Sequence, residues 1–594
     1  MDGKKLEYKG EEALKELEKL TTKADEIQER ILKEILTRNG STEYLKKFME
    51  GSTNVSDFKR LVPVITYAGI RPYIQRIANG EDSSLISGHP ITEMLCSSGT
   101  SAGVPKMMPS IAEDLDRRTF LYNLIMPIMN QYVPGLDEGK AMYLNFIKVE
   151  MVTPSGLPAR PVLTSYYKSK HFKCRARDPF NDFTSPDQAI LCTDSRQSMY
   201  CQLLAGLVHR KQVLRLGAVF ASAFLRAISF LEHNWADLCN DIRNGRLCST
   251  ITDPGCRSAM LDVLKSPDPQ LADEIEEICS RRSWNGILGL LWPKTKYIEV
   301  VVTGSMAQYI PALEYYTAGK LPLVCTMYAS SECYFGVNLK PLCKPDDVAY
   351  TLLPNMGYFE FIPLGDDGPM DEEEVDREKL VDMAHVRIGS YYELVVTTFA
   401  GLYRYRIGDI VQVTGFYNRA PQLRFICRRN VVLSIDTDKT SEEDLHNSVT
   451  AAKKLLEPYH ALLVEYTSYP DTSSLPGHYV LYWEIVHYAT PINGVKATPL
   501  EADVLQECCI AVEEALDYTY RRCRTYDKSV GPLEIRVVEP GSFDALMDHF
   551  ISEGASINQY KTPRCIKTSS ALELLNSRVK SCFFSPRDPT WIIP

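Results

Sequence analysis

The sequence lacks the long apolar runs, signal-peptide pattern and paired-cysteine motifs that would direct it to a membrane or an oxidising compartment. Its longest apolar runs, such as residues 287–292, are far shorter than the roughly 20 residues of a membrane-spanning helix. Charged residues recur throughout the first 20 positions, so we expect no signal peptide. The 17 cysteines form no CxxC pair and no Cys/His spacing typical of zinc, which favours a cytoplasmic protein without membrane contact.

The chain also lacks a basic tract. It has 66 Lys and Arg against 76 Asp and Glu, and the net charge of −10 disfavours a nucleic-acid partner. Hydrophobic residues make up 45% and charged residues 24%, as in soluble globular proteins. Because 594 residues exceed what one ordinary core holds, we expect two or more folded units.

Helical and strand patterns alternate along most of the chain. Apolar residues recur at three- and four-residue steps from Leu14 to Ile35, which predicts one long amphipathic helix. Apolar runs at 296–305 and 321–332 are typical of strands and flank a helical pattern, which predicts a largely parallel sheet with helices on its faces. Residues 393–417 predict two strands joined by a Gly-containing turn.

The composition changes in the last third of the chain. The acidic stretch 365–379 is predicted to be a surface loop, and from about Thr440 helices and strands alternate in a self-contained α/β pattern. We therefore expect an α/β fold with a large N-terminal domain at 1–425, a hinge at 426–440 and a small C-terminal domain at 441–594.

A loop rich in hydroxyls and glycines, SSGTSAGVPK at 97–106, follows a predicted strand. Small residues let backbone N–H groups approach an anion, and hydroxyls and Lys106 add donors and charge, so the loop could bind phosphate. It is not a Walker A loop, because no Gly-Lys-Ser/Thr occurs at the required spacing. A flexible Gly/Ser turn is the alternative.

A second polar segment, TMYASSE at 326–332, ends a predicted strand. Tyr328 could stack on a purine, and Glu332 could hold Mg²⁺ against phosphates. Alternatively, Ser330 or Ser331 could open a helix.

A third segment, YRYRIGDI at 403–410, places Asp409 after a glycine. Its carboxylate could accept the two hydroxyls of a ribose. The commoner role of such an Asp is to bond its own turn backbone, with Arg404 and Arg406 as strand-face charges.

Together these three blocks resemble, in order and spacing, the plant auxin-responsive acyl-acid amido synthetases, the Gretchen Hagen family of adenylate-forming enzymes of the firefly-luciferase type. The resemblance covers nearly the whole chain, including LPARPVLTSYYKS, VVTGSMAQY, PNMGYFEFIPL, NVVLSIDTDKT, PGHYV and QYKTPRC. It is greatest for the branch that conjugates indole-3-acetic acid with amino acids.

The resemblance implies a fold, a reaction and its cofactors. The fold would be adenylate-forming, with a mobile small domain. ATP and Mg²⁺ would convert a hormone acid into an acyl-adenylate. An amino acid would then react with the adenylate to form an amide, and the family suggests aspartate or glutamate. Such a ligase would lower free auxin and act as a monomer.

The resemblance also implies roles for individual residues. The nucleotide would contact Ser97, Ser98, Thr100, Thr303, Gly304, Ser305, Thr326, Tyr328 and Asp409. Catalysis would depend on Glu332, which would hold Mg²⁺, and on Lys439 and Lys561, which would reach the phosphates. On sequence alone, either lysine could equally be a solvated surface side chain.

An apolar and aromatic acid site is implied as well. Its lining residues would be Tyr122, Val162, Leu163, Val219 and Tyr334, although core packing explains each equally well without the resemblance. Ile125 stands where some relatives carry an Arg that pairs with the substrate carboxylate, which disfavours benzoate.

Several alternatives stay open: an acyl-CoA ligase, an amido synthetase for jasmonate or benzoate, and a non-catalytic hormone-binding protein. The presence of Glu332, Asp409, Lys439 and Lys561 favours catalysis over sequestration. A Cys–His hydrolase is disfavoured, because no nucleophile signature surrounds any Cys or His.

Replacing Lys561 with alanine is expected to slow adenylation about 100-fold, the usual effect of losing one group that stabilises developing charge. ATP binding and the fold should survive. Single-turnover adenylate formation is the measurement, with Lys567→Ala in the same segment as control. An unchanged rate in the Lys561 variant would contradict its role.

Overall fold

The computed structural model describes residues 10–101, 104–175, 178–364, 380–429, 431–487, 501–552 and 562–592, with the backbone alone at 98–101 and 104–105. The chain divides into two compact units, Met1–Ser97 with Lys106–Arg429, and Ser98–Pro105 with Asn430–Pro594. The hinge at 426–440 stays a prediction. The acidic stretch 365–379 lies outside the described residues. Among those described, no helix has the length and apolar character needed to cross a membrane.

Helices form much of both units. Up to residue 429 they are α1 (Glu11–Thr22), α2 (Ala24–Asn39), α3 (Glu43–Met49), α4 (Val55–Leu61), α5 (Tyr67–Ala78), α6 (Ala112–Asn130), α7 (Val162–Lys168), α8 (Lys170–Lys173), α9 (Asp187–Ile190), α10 (Ser195–Val208), α11 (Ala221–Asn244), α12 (Pro254–Leu264), α13 (Pro269–Cys279), α14 (Ile287–Leu291) and α15 (Ile310–Thr317). Beyond it they are α16 (Glu442–Lys453), α17 (Ala502–Ala515), α18 (Tyr518–Thr525), α19 (Ser542–Ser552) and α20 (Ser569–Asn576).

Within the part of the chain that the structure describes, the strands fall into five sheets. Up to residue 429 they are β1 (Ile91–Ser101), β2 (Val104–Ile111), β3 (Lys140–Leu144), β4 (Met151–Val152), β5 (Pro158–Arg160), β6 (Val213–Phe220), β7 (Tyr297–Val301), β8 (Leu323–Val324), β9 (Met327–Ala329), β10 (Tyr334–Val337), β11 (Tyr350–Leu352), β12 (Tyr358–Pro363), β13 (Val381–Asp382), β14 (Tyr391–Thr397), β15 (Tyr405–Tyr417) and β16 (Ala420–Arg428). Beyond it they are β17 (Val431–Leu433), β18 (Thr440–Ser441), β19 (Ala461–Asp471), β20 (His478–His487), β21 (Glu534–Val538) and β22 (Val579–Phe584).

The predicted N-terminal helix is two helices, since α1 ends at Thr22 and α2 begins at Ala24. The Thr21 hydroxyl donates to the Leu17 carbonyl at 2.8 Å, a side-chain bond that competes with the backbone ladder. Lys23, with φ −107°, then leaves the helical region. The predicted apolar face is nevertheless the buried one, because Leu17, Leu20 and the isoleucines of α2 are inside.

A four-stranded sheet in the order β3-β6-β7-β8 is entirely parallel. It confirms the strand predicted at 296–305 as β7. The segment 321–332 instead forms two short strands, β8 in this sheet and β9 in another, and α15 forms the connection between β7 and β8. A second four-stranded sheet, β2-β1-β5-β4, pairs β1 with β5 in parallel.

The largest sheet has eight strands in the order β13-β12-β14-β15-β16-β11-β10-β9 and is antiparallel. The expectation of a largely parallel sheet is therefore wrong for this part of the chain. β14, β15 and β16 follow one another through the short connections 398–404 and 418–419, and connections of this length join antiparallel neighbours. The two strands predicted in 393–417 are confirmed as β14 and β15.

The second unit is built on the sheet β19-β20-β21-β22, in which β20 and β21 pair in parallel. Its core holds Trp483 and Tyr479 of β20 together with apolar side chains of α16 and α17. The predicted helix–strand–helix–strand–helix pattern is confirmed, with β19 and β22 as additional antiparallel strands.

An ion pair lies inside the first unit. Arg404, 1% exposed, donates to both carboxylate oxygens of Glu360 at 2.9 and 3.0 Å. Its remaining N–H groups reach the carbonyls of Lys59 and Val62 at 2.6 and 3.0 Å. The reading of Arg404 as a strand-face charge is therefore wrong, because this guanidinium ties the helix α4 region to the large sheet.

Replacing Arg404 with methionine is expected to lower the free energy of unfolding of the first unit by about 3–5 kcal/mol, because Glu360 would be left buried without its cation. Arg60→Met is the control, since its ion pair with Asp57 is largely exposed and should change stability by less than about 1 kcal/mol. Urea unfolding measures both variants. Equal midpoints for the two would contradict the inference.

Candidate active site

Two residues predicted at different strand ends meet in the large sheet. The hydroxyl of Tyr328, in β9, donates to Oδ2 of Asp409, in β15, at 2.6 Å. Both residues are buried. Burial, reinforced by the Asp409 carboxylate, raises the pKa of Tyr328 well above its ordinary value. The tyrosine therefore stays a neutral donor that fixes one oxygen of the carboxylate.

Arg428, the last residue of β16, lies between two acidic side chains. Its Nη1 is 3.7 Å from Oδ1 of Asp409 and its Nη2 is 3.9 Å from Oε1 of Glu332. Burial opposes its charge, but the two carboxylates outweigh that effect and raise the pKa of Arg428. Arg428 was predicted only as part of the hinge, so its place in this site was missed. The sequence feature that could have identified it is a basic residue at the end of a strand that pairs with the strand of Asp409.

Three carboxylate oxygens around Arg428 are buried and lack a hydrogen-bond donor among the described residues: Oε1 and Oε2 of Glu332, and Oδ1 of Asp409. Buried acceptors of this kind are costly unless a ligand supplies their partners. Ribose hydroxyls are suitable donors for Asp409, and a hard divalent cation suits the two oxygens of Glu332. The donor set therefore fits a magnesium nucleotide.

Lys106 belongs to the same cluster. Burial, and next the nearby Arg428, lower the pKa of its amine, while Glu332 acts in the opposite direction. The Lys106 amine lies 5.7 Å from the ring centre of Tyr67, whose hydroxyl accepts the backbone N–H of Met107 at 3.0 Å. Lys106 thus adds a second cation beside Glu332, at the end of the hydroxyl-rich loop.

Aromatic rings lie next to the segment 303–305. Gly304 has φ +61°, and a Cβ there would come within 2.7 Å of the Phe425 ring, so the position requires glycine. The Phe425 ring lies 6.1 Å from that of Tyr328 at 65°. Thr303 shares a 3.4 Å hydrogen bond with the Tyr350 hydroxyl, and Tyr350 packs on Tyr328. Phe425 and Tyr350 were also missed, since each comes from a distant strand.

The local alternatives for these segments are wrong. Residues 330–333 form a turn between β9 and β10, in which the Ser330 hydroxyl accepts the N–H of Glu332 at 3.2 Å, so no helix begins there. Asp409 lies within β15 and bonds Tyr328 instead of its own backbone. Two other residues were predicted to lie beside the adenine. The hydroxyl of Thr326 donates to Glu299 at 2.9 Å, and Ser305 is exposed.

Two of the predicted acid-site residues, Tyr122 and Tyr334, belong to a group of tyrosines. The hydroxyls of Tyr122, in α6, and Tyr334, in β10, share a 2.8 Å hydrogen bond. The ring of Tyr166, in α7, lies 4.6 Å from that of Tyr122. Tyr334 follows Glu332 by two residues, so the tyrosines adjoin the carboxylate cluster along the chain. Burial raises the pKa of Tyr166 to about 12, so its hydroxyl stays neutral.

The aliphatic residues predicted for the acid site lie in three different places in the fold. Leu163 packs with Ile147 and Tyr167, Val162 opens α7, and Val219 lies near the end of β6. Ile125, one helical turn after Tyr122, packs against the cluster of Met126, Met129 and Val133. The roles of these residues in acid binding stay predictions.

The remaining predicted phosphate-binding residues are Ser97, Ser98 and Thr100 of the hydroxyl-rich loop, with Lys439 and Lys561 in the last third of the chain. Lys439, half-buried, lies in the second unit between β17 and β18, where Asp438 accepts the backbone N–H groups of Ile435 and Asp436 at 3.2 and 2.7 Å. Lys561 lies outside the described residues, as do the side chains of Ser98 and Thr100. Ser97 is buried at the start of the loop.

The chain is clamped where the first unit ends. Arg429 donates to Oε2 of Glu393 at 2.9 Å, and Arg406 donates to both oxygens of the same carboxylate at 2.9 and 2.7 Å. Glu393 is 1% exposed. This arrangement holds the backbone that carries Arg428.

Most of the chain is similar to known protein families. Residues 13–323, 350–428 and 443–570 match the GH3 family N-terminal, central and C-terminal domains. The chain belongs to the GH3 family. The relative GH3.9 of Arabidopsis thaliana is 67% identical over 598 residues and covers 100% of both chains. The indole-3-acetic acid-amido synthetase GH3.17 of the same plant is 59% identical and covers 98% of this chain and 97% of the relative.

A solved structure, the GH3.15 acyl acid amido synthetase, shares the fold with a TM-score of 0.68 and 49% identity, covering 98% of each chain. The same protein has been solved in complex with 2,4-DB, with a TM-score of 0.67 to this chain. The expected family and α/β fold class are therefore confirmed.

Replacing Asp409 with asparagine is expected to weaken binding of AMP about 10- to 150-fold, because a charged acceptor of two hydroxyls contributes about 1.5–3 kcal/mol. Isothermal titration of AMP measures the loss. Asp347→Asn, which changes an acid with a 65% exposed side chain in the same unit, should bind as the parent does. Equal weakening by both substitutions would remove Asp409 from the nucleotide site.

Proposed function

We propose that this protein is an ATP-dependent acyl-acid amido synthetase that joins indole-3-acetic acid to an amino acid through an acyl-adenylate. The observation that carries the proposal is the buried group of Glu332, Asp409, Tyr328 and Arg428, in a chain of the GH3 family. Three carboxylate oxygens of this group lack a hydrogen-bond donor among the described residues. The protein would act in the cytoplasm and thereby lower free auxin.

The first step requires charge control around ATP. Asp409, held by Tyr328, would orient the ribose, and the aromatic group around Gly304 would flank the adenine. Arg428 and Lys106 would offset negative charge beside the phosphates. Glu332 would hold Mg²⁺, which when bound neutralises phosphate charge. The acid carboxylate then attacks the α-phosphorus, pyrophosphate leaves and the acyl-adenylate forms. By resemblance, Lys439 and Lys561 would serve the same phosphates.

The second step, amide formation, requires an acyl site from which water is excluded. The tyrosine group of Tyr122, Tyr166 and Tyr334 offers flat apolar faces to an aromatic acid and neutral hydroxyls at their edges. Ile125 in place of a basic residue favours a longer apolar acid over benzoate. The amine of the amino acid attacks the acyl carbon and AMP leaves, so exclusion of water is needed to prevent hydrolysis of the adenylate.

A substrate panel tests this function. Indole-3-acetate, jasmonate and benzoate are each incubated with ATP, Mg²⁺ and single amino acids or coenzyme A, and the products are identified by mass. We expect the fastest conjugation for indole-3-acetate with aspartate or glutamate. A thioester as the main product would indicate an acyl-CoA ligase. Absence of pyrophosphate exchange with all acids would indicate a binding protein.

The acid site has its own variant pair. Tyr122→Ala is expected to raise KM for indole-3-acetate about tenfold or more with little effect on KM for ATP, because a buried aromatic surface is lost. Tyr315→Ala removes a tyrosine that is 44% exposed in the same unit and serves as control. An unchanged KM in the Tyr122 variant would place the acid elsewhere.

A further inference from the structure

Three cysteines and an aspartate meet in the first unit, and none of them belongs to the predicted active site. Cys192 follows the short helix α9, and Cys201 lies in α10. Asp253 caps the N-terminus of α12, and Cys256 lies in the first turn of that helix. We call these four residues the thiol cluster. Its members come from three segments of the chain that pack against one another.

The cluster has the dimensions of a metal site. The Sγ atoms of Cys192 and Cys256 and a carboxylate oxygen of Asp253 all lie within 4.8 Å of one another. Within the cluster, Cys201 contacts only the Cys256 thiol and is the nearest source of a fourth donor. Tetrahedral zinc with bonds of about 2.3 Å places its sulfur ligands about 3.8 Å apart. Cys192, Asp253 and Cys256 therefore have the spacing of three zinc ligands after a modest contraction.

The neighbouring backbone already holds the donors in place. Oδ1 of Asp253 accepts the N–H of Cys256 at 2.8 Å, which fixes the carboxylate beside that thiol. Oε1 of Gln197 accepts the N–H groups of Thr252 and Asp253 at 2.7 and 2.9 Å, and its Nε2 donates to Asp194 at 3.0 Å. The loop before α12 is thus fastened to the first turn of α10. Supporting contacts of this kind orient metal ligands.

Ordinary core packing explains buried cysteines elsewhere in the chain but not this combination. Cys201 and Cys256 are 0% exposed and Cys192 is 4% exposed, as expected of small apolar side chains. Asp253 is only partly buried, and its carboxylate lies beside two buried thiols. A divalent cation turns the same arrangement into an attractive one.

We propose that the thiol cluster is a structural zinc site, with Cys192, Asp253 and Cys256 as three ligands and Cys201, beside Cys256, as the fourth. Binding transfers the thiol protons to solvent as the metal–sulfur bonds form, and no electron changes hands. Soft thiolate donors select zinc over magnesium, so the site is distinct from any cation at Glu332. Its role is to tie the α9–α10 loop, α10 and α12 into one rigid block.

Metal binding by the full-length reduced chain tests the site. The chain is stripped with a chelator and titrated with Zn²⁺ against a chromophoric competitor, and Co²⁺ is added separately to observe a thiolate-to-cobalt charge-transfer band. We expect one equivalent of zinc and a tetrahedral cobalt spectrum. Cys256→Ser should weaken zinc about 100-fold or more, since loss of even an outer partner costs 10–100-fold. Cys239→Ser, a buried cysteine of α11 outside the cluster, should bind as the parent does.

A second variant separates metal binding from folding. Asp253→Asn keeps a good helix cap, so the melting temperature of the metal-free chain should change little while zinc affinity falls. Failure of the stripped parent to take up zinc would overturn the proposal, as would equal affinity in the Cys256 and Cys239 variants. The proposal would also be overturned if cysteines of the cluster form a disulfide and the reduced chain still takes up no zinc.

Discussion

The site depends on one electrostatic arrangement, a guanidinium held between a carboxylate of a strand and a carboxylate of a turn in the same sheet. Buried charges persist only when opposite charges and hydrogen bonds compensate for lost hydration. Arg428 offsets Asp409 and Glu332, and Tyr328 fixes the oxygen of Asp409 that faces away from the cation. The antiparallel sheet maintains these distances, because β9, β10, β15 and β16 are members of one hydrogen-bonded array. Compensation is nevertheless incomplete among the described residues, because two oxygens of Glu332 and one of Asp409 lack a hydrogen-bond donor.

Local patterns in the sequence were sufficient for elements whose partners are close along the chain. The Gly401 turn between two apolar runs predicted β14 and β15, and the buried faces of α1 and α2 followed from their periodicity. The break at Lys23 did not, because it depends on one hydroxyl of Thr21 competing for a backbone carbonyl. The order of the eight-stranded sheet was also beyond local patterns, since β16 pairs with β11 across about seventy intervening residues.

The candidate site shows the same division. Motifs pointed to Tyr328, Glu332 and Asp409 because each stands beside glycine or hydroxyl residues at a strand end, and the resemblance supplied their roles. Phe425 and Arg428 carry no such local mark, and their proximity to the motifs arises from the pairing of β15 with β16. Cysteine spacing was similarly uninformative, because Cys192, Cys201 and Cys256 approach one another through helix packing rather than through a short motif.

The clamp at the end of the first unit fixes the chain next to the site. Glu393 receives hydrogen bonds from Arg406 and Arg429, so the residue directly after Arg428 is held in place. Arg406, Glu393 and Arg429 all belong to the first unit. The guanidinium of Arg428 therefore keeps its position between Glu332 and Asp409 through contacts of this unit alone.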